Sequence, residues 1–236
     1  MSNDPLAIER AFEVLCAGET VPGVLWTPRT GDGPFPLVLA GHGFTLSKRA
    51  LYPPSLVDDL VERGFAVAAI DAPGHGDRQP NGGRDAAACD RAWRAHWREF
   101  GASRIAAEYR AVLDMLASEA DVDASRIGYW GLSLATQYGV GVIAAEPRVR
   151  AAVLGLSGLP EPGPRITAYA EGVTCPVFFI QQLDDELAPR DRAQALFDRL
   201  ASEDKTLRAS GGGHMEVSAS VFEEAYAFLV AHPGEP

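Results

Sequence analysis

Short, almost wholly apolar runs recur along this chain of 236 residues, each leading into a turn or a stretch of helical period. Runs of that length suit strands buried on both faces, the situation of a parallel sheet between layers of helix. Pro36 to Ala40 (PLVLA) and Phe65 to Ile70 (FAVAAI) are the clearest, Ile127 to Gly131, Val149 to Leu156 and Val177 to Ile180 continue the series, and Thr206 to Ala209 is expected as a further strand. Between them, Leu56, Leu60 and Val61 share one face of a helix expected over Leu51 to Arg63, with Gly64 as its stop. Ile105, Tyr109, Val112, Leu113 and Leu116 mark an amphipathic helix. Leu134 to Ala145 is mostly small and apolar, so its helix should be buried nearly all round; further helices are expected over Arg190 to Leu200 and Met215 to Ala231. Such alternation builds βαβ units. The expected fold class is therefore α/β, a mostly parallel central sheet with helices on both faces, as one domain over 1–236. Looser alternation from Phe12 to Trp26, with Gly18 and Gly23 as turn residues, adds an N-terminal antiparallel hairpin.

Open sheets of this kind carry their sites at the carboxyl ends of the strands. The residues just after each apolar run therefore hold the functional signal. The segment Arg126 to Tyr138, RIGYWGLSLATQY, is a strand that passes through Gly131-Leu132-Ser133-Leu134-Ala135 straight into a helix. A serine on so sharp a turn is held out at the sheet edge, and small residues two before and two after it let the backbone turn without side-chain clash. The helix that follows sets its first amides, with their partial positive charge, beside the hydroxyl. A serine hydroxyl is a weak nucleophile until a base takes its proton. His214 is the candidate base, in a loop expected to be flexible after Gly211-Gly212-Gly213, between the last strand and the last helix. His42 and His75 sit in glycine turns, His96 on a helix among arginines, and His232 near the tail, where exposure is expected. Past the run VFFI stand three successive acids, Asp184, Asp185 and Glu186, in a loop that ends at Pro189.

The turn around Ser133 resembles the nucleophile elbow of the α/β-hydrolase superfamily, written G-x-S-x-G, with Ala135 where that pattern has glycine. The chain order Ser133, acid, His214 is also that family's order. The resemblance implies an acid four residues before the proline that opens the next helix, which selects Asp185 over Asp184. It also implies an oxyanion hole made by the Leu134 N–H and a second amide from Gly41-His42-Gly43-Phe44-Thr45, with Phe44 first and Gly43 as the fallback. Asp71-Ala72-Pro73-Gly74-His75-Gly76 resembles the family's D-x-P-G-x-G turn, which lines the site without a proton-transfer role. The lead-in Val122 to Gly128 looks like the esterase, dienelactone-hydrolase and acylaminoacyl-peptidase branches. Dienelactone hydrolases carry cysteine where Ser133 stands, so esterase is the better label. The implied activity is cleavage of a carboxylic ester of a small soluble substrate through an acyl-enzyme on Ser133, with no metal and no organic cofactor. A thioesterase, an amidase or peptidase, and an acyltransferase would use the same three residues; a non-catalytic binding module need not keep them all.

Many relatives carry a helical lid after the strand that here ends near Leu156. The interval Ser157 to Val173 is too short for one, and its start, rich in proline and glycine, reads as a loop. Other cover is expected within Arg78 to Phe100, where Trp93 and Trp97 stand one helical turn apart, either packing a helix on the sheet or walling the acyl pocket.

The composition excludes several partners. A formal net charge of −11 without a lysine or arginine block would repel a nucleic-acid backbone. Cys16, Cys89 and Cys175 are odd in number and far apart, which suits neither a disulfide framework nor a zinc cluster and points to a reducing compartment. The start of the chain lacks an apolar signal core, and no run reaches the roughly 18 apolar residues of a membrane helix. A cytoplasmic protein acting on small molecules is expected.

Overall fold

The computed structural model describes residues 5–79, 85–159 and 164–232. Among these residues eight strands form one sheet: β1 (Ala7–Cys16), β2 (Glu19–Pro28), β3 (Phe35–Ala40), β4 (Ala66–Ile70), β5 (Val122–Leu132), β6 (Val149–Gly155), β7 (Val177–Gln182) and β8 (Lys205–Ser210). Their spatial order is β1-β2-β4-β3-β5-β6-β7-β8. The pairs β1–β2 and β2–β4 are antiparallel and all others are parallel. The chain leaves β3 for β4 on one side and then crosses to β5 on the other. That reversal opens a crevice outside the carboxyl ends of β3 and β5, where open α/β sheets bind their ligands.

Period-two alternation sorts the strand residues onto two cores. Leu37 and Leu39 of β3 face one side, together with Tyr109, Val112, Leu113, Tyr138, Val140 and Leu196; Val38 and Ala40 face the other, with Leu56, Leu60, Phe222 and Tyr226. The first core is covered by α2 (Ala86–Phe100), α3 (Ser103–Leu116), α4 (Leu134–Ala145), α5 (Pro164–Ala170) and α6 (Arg190–Arg199), and the second by α1 (Leu56–Glu62) and α7 (Ala219–Ala231). Each fully buried leucine or valine in these layers contributes about 1.5–3 kcal/mol. Nine of the residues of α4 are buried, on every side of the helix, as its composition required.

Several boundaries differ from the sequence reading, each for a physical reason. Helix α1 starts at Leu56 rather than Leu51, because Pro53 and Pro54 lack the amide hydrogens of a helix and bar the residue before them from helical backbone. Gly23 is not a turn residue; it lies inside β2 opposite Phe12, and the hairpin turns at Ala17 and Gly18. Strand β5 starts at Val122, ahead of the apolar run Ile127 to Gly131, and between them its pairing with β3 steps from Asp123 to Ile127. The Asp123 carboxylate holds that step by accepting from the Ser125 amide and hydroxyl and from Arg126 Nε. Helix α7 begins at Ala219, since residues 213–218 turn after His214. Within Ser157 to Val173 the start expected as a loop lies partly outside the described residues, at 160–163, and α5 follows it; 80–84 of the loop before α2 also lie outside them.

Asp85 caps α2 by accepting from the Ala87 and Ala88 amides. Trp93 is buried against Tyr138 of α4 at 5.8 Å between ring centres, and Trp97 meets Tyr169 of α5 edge-on at 6.4 Å. Both rings therefore pack α2 onto its neighbours. His232 is half-buried, with Nδ1 on the Phe228 carbonyl. The three cysteines are free, and no helix among the described residues is long and apolar enough to cross a membrane.

Candidate active site

Strand β5 delivers Ser133 to the sheet edge. Its backbone has φ 58° and ψ −119°, a region that residues with a side chain seldom occupy, so the surrounding structure must hold it there. The Ser133 N–H donates to the Gly155 carbonyl of β6 at 2.9 Å. Buried Thr136 ties the same corner: its hydroxyl lies 2.7 Å from both the Gly131 and the Gly155 carbonyl and accepts from the Gly155 amide. Tyr129 donates its phenol to the Ala135 carbonyl at 2.8 Å. Ala135, the departure from the elbow pattern, is accommodated from the other side. A Cβ on Gly41 would stand only 2.7 Å from the Ala135 methyl, so glycine at the end of β3 makes room for the alanine. The sequence reading missed Thr136 and Tyr129, although a threonine three residues after the serine was visible as an unusual polar group in an apolar helix.

His214 follows β8 and is buried. Its Nε2 lies 2.9 Å from Ser133 Oγ, and its Nδ1 lies 2.9 and 2.8 Å from the two oxygens of Asp185. A carboxylate only accepts, so Nδ1–H donates to Asp185 and the Nε2 lone pair is left for the serine hydroxyl. Asp185 is itself held, because Oδ1 also accepts the Leu187 and Ala188 amides at 2.8 Å. Asp184 points elsewhere, to Arg190 and to the Gly212 amide, and is exposed. Asp185, not Asp184, thus meets the imidazole. The loop before His214 is far from loose, being tied by side chains of 182–186 and by Glu216.

Leu134 follows the serine as the first residue of α4, and Phe44 lies in the loop after β3. Among the described residues neither backbone N–H donates to another protein group, which leaves both available to a ligand. The Gly43 carbonyl takes the Leu46 amide at 3.2 Å and the His42 ring nitrogen Nδ1 at 2.9 Å, so the loop carrying Phe44 is closed on itself. His42 is completely buried; its Nε2 accepts the Ala72 amide at 2.9 Å, joining the loop after β3 to the loop after β4. Burial holds its pKa down at about 4, so the ring is neutral. His75 is also lowered by burial, and its ring packs against His42 and edge-on to Phe44.

Beneath these turns, buried Lys48 and Asp71 form an ion pair at 2.5 Å, and the Asp71 carboxylate also accepts the Lys48 and Asp77 amides. No sequence signal pointed to Lys48, whose partner lies in another loop. Among the described residues no three His, Cys, Asp or Glu side chains are grouped so as to hold a metal ion.

No protein-family model matches the chain, and no curated protein does. Solved structures do match. A cold-adapted esterase from an Arctic intertidal metagenomic library, in its PEG-bound complex, shares 34% identity at a TM-score of 0.86, over 98% of this chain and 97% of that one. Its native structure gives 31% identity and a TM-score of 0.80, over 98% and 96%. Acetyl xylan esterase 1 from Thermoanaerobacterium sp. shares 19% identity at a TM-score of 0.74, over 98% and 85%, a likeness of fold alone. One residue in three is thus shared with the Arctic esterase over nearly the whole of both chains, and the chain belongs to the α/β-hydrolase superfamily.

Proposed function

We propose that this protein is a serine hydrolase that cleaves carboxylic esters of small soluble substrates through an acyl-enzyme on Ser133. The observation that carries this reading is the unbroken line from Ser133 Oγ through the imidazole of His214 to the Asp185 carboxylate, with every link at 2.8–2.9 Å. The esterase at 34% identity supports the ester as the bond that is cut.

The roles follow from that line. His214 Nε2 takes the hydroxyl proton as Ser133 attacks the ester carbonyl, and Asp185 stabilises the imidazolium that forms. The amides of Leu134 and Phe44 donate to the oxygen on which charge develops. His214 then returns its proton to the departing alcohol, and a water deprotonated by the same ring releases the acid. The strained backbone of Ser133 serves this chemistry by presenting Oγ to the ring instead of folding it into the helix.

The test is the initial rate on short-chain p-nitrophenyl esters at neutral pH, for the wild type and for Ser133→Ala. A folded variant slower by at least about 10⁴-fold is expected, the scale on which removing such a nucleophile acts. Equal rates in the two proteins would sink the reading. The same assay with thioesters, amides and an added alcohol acceptor separates esterase from thioesterase, amidase and acyltransferase.

A further inference from the structure

The three glycines before His214 form the segment with the largest backbone freedom in the chain to be lost on ordering, and it carries the one ring whose aim decides proton transfer. Asp185 fixes the Nδ1 end of that ring, but a single pivot leaves the rest of the residue free to swing about it. The second point of support is Glu186. Its Oε2 accepts the His214 backbone N–H at 3.0 Å, although the side chain is exposed and lies 28 residues away in sequence.

The rest of the loop is tied in the same manner. The Gly213 amide donates to Glu216 at 2.7 Å and the Gly212 amide to Asp184 at 3.2 Å, while Gln182 Nε2 donates to the Gly211 and Gly213 carbonyls. Ser210 at the end of β8 donates to the oxygen of that same Gln182 amide. Of these ties only the one from Glu186 reaches the backbone of the histidine itself. A bond from an N–H to a carboxylate is charge-assisted and stronger than one to a neutral acceptor. Consistently, the carboxyl of Glu186 is held below the ordinary range, chiefly by that N–H.

We propose that Glu186 is a positioning residue for His214, fixing its backbone while the adjacent Asp185 fixes its ring, so that acid and base share one support in the turn before α6. This rests on the reading of Ser133 and His214 as the reacting pair. The arrangement is economical in geometry. Asp185 and Glu186 are consecutive, and Asp185 is anchored by the amides of Leu187 and Ala188, so both contacts are referred to the same rigid turn. Loss of the Glu186 bond leaves the Asp185–His214 bond in place and lets Nε2 drift from Ser133.

The experiment compares Glu186→Ala and Glu186→Gln with wild type and Ser133→Ala in the full chain. Ester turnover, the rate at which a fluorophosphonate labels Ser133, and the thermal midpoint are measured. In Glu186→Ala kcat is expected to fall roughly 10- to 100-fold, as for a misplacement on the order of 1 Å, with KM within about two-fold. Labelling should slow by the same factor, because it depends on the same base, with the midpoint within about 3 °C of wild type. Glu186→Gln, which keeps an oxygen for the His214 N–H, should recover most of the loss. The proposal is overturned if Ser133→Ala is dead while Glu186→Ala turns over and labels within about two-fold of wild type, a range with no appreciable transition-state cost. It is overturned equally if Glu186→Gln is as slow as Glu186→Ala, or if the midpoint falls in step with the rate. Full turnover in Ser133→Ala would instead remove the parent reading, a separate outcome.

Discussion

The two banks of the crevice are built to opposite plans. On the Phe44 side, the loops after β3 and β4 are joined from below by groups that water does not reach: Lys48, Asp71 and His42 are each at most 3% exposed. Arg78 extends this network, donating to the Asp71 carbonyl and gripping fully buried Glu108 with two bonds of 2.8 and 2.9 Å. On the His214 side, exposed carboxylates reach over a run of glycines and accept its amides from the solvent face. Charges withdrawn from water must be fully paired, so the first bank belongs to the folding core, and disturbing it disturbs the whole protein. Hydrogen bonds at the surface are worth little to the global fold, yet they suffice to order a short segment. One bank should therefore report on stability and the other on activity.

The largest expected effect tests the first half of that contrast. Lys48→Met removes one partner of the buried pair and leaves the Asp71 carboxylate without its counter-charge, which should cost about 3–5 kcal/mol of unfolding free energy. Adding Asp71→Asn to Lys48→Met should restore part of the loss, because it removes the uncompensated buried charge while the asparagine oxygen still accepts from one of the two amides, of Lys48 or of Asp77, that the carboxylate oxygens hold. Urea unfolding of the two variants measures both. A single variant within about 1 kcal/mol of wild type would place Lys48 among surface ion pairs and erase the distinction between the banks.

This asymmetry bears on what the sequence disclosed. The strands were legible because apolar runs such as FAVAAI have one stable use, and α4 was legible to the residue because Ser133 and the small residues after it mark a strand-to-helix turn. The adjacent acids were separable only through the resemblance to the family, whose acid stands four residues before the proline that opens the next helix: Asp185 faces the imidazole and Asp184 faces Arg190. The Lys48–Asp71 pair was not legible, since 23 residues separate its members and only the closure of two loops over the sheet brings them together. Glu186 was in plain view but read as a loop acid, because an exposed carboxylate shows its purpose only once the backbone it meets is known. Helix α5 was not marked in the sequence, since a segment of seven residues is placed by packing such as that of Tyr169 on Trp97.

An intermediate effect concerns acid. His42 and His75 on the Phe44 bank are held neutral by burial, and so is His96, with Arg78 and Arg104 adding to it. For each, the folded state binds its proton at lower pH than the unfolded chain, whose histidines titrate near 6.5. Between those values the unfolded state holds more protons, so stability is complete above about pH 6.5 and declines as the pH falls toward 4. For His42 the displacement from 6.5 to about 4 amounts to at most about 3 kcal/mol. Thermal midpoints taken from pH 7.5 to 4.5 should fall through this window in wild type, and less steeply in His42→Gln, whose amide can still serve Ala72 and Gly43. A flat profile, or equal slopes in the two proteins, would show that His42 is not buried neutral.

The smallest effect asks how finely the His214 bank is fitted, and two neighbouring glycines answer it. Gly212 has φ +119°, where only glycine is at ease, and a Cβ there would stand 2.8 Å from Gln182 Nε2 and 3.1 Å from Glu216 Cβ. Gly211 has nothing within 4 Å of its would-be Cβ and no positive φ. Gly212→Ala should therefore cost about 1–3 kcal/mol of local strain. Because the segment is tied at its surface and not rooted in the core, that strain should be relieved by the loop letting go. Ester turnover should drop while the thermal midpoint moves by only a few degrees. Gly211→Ala should change both by little, within about 0.5 kcal/mol. If the two alanines behaved alike, the order before His214 would not come from the side chains that surround Gly212. A large fall in the midpoint for Gly212→Ala alone would make this bank as much a part of the core as the other, and the contrast between them would be one of exposure only.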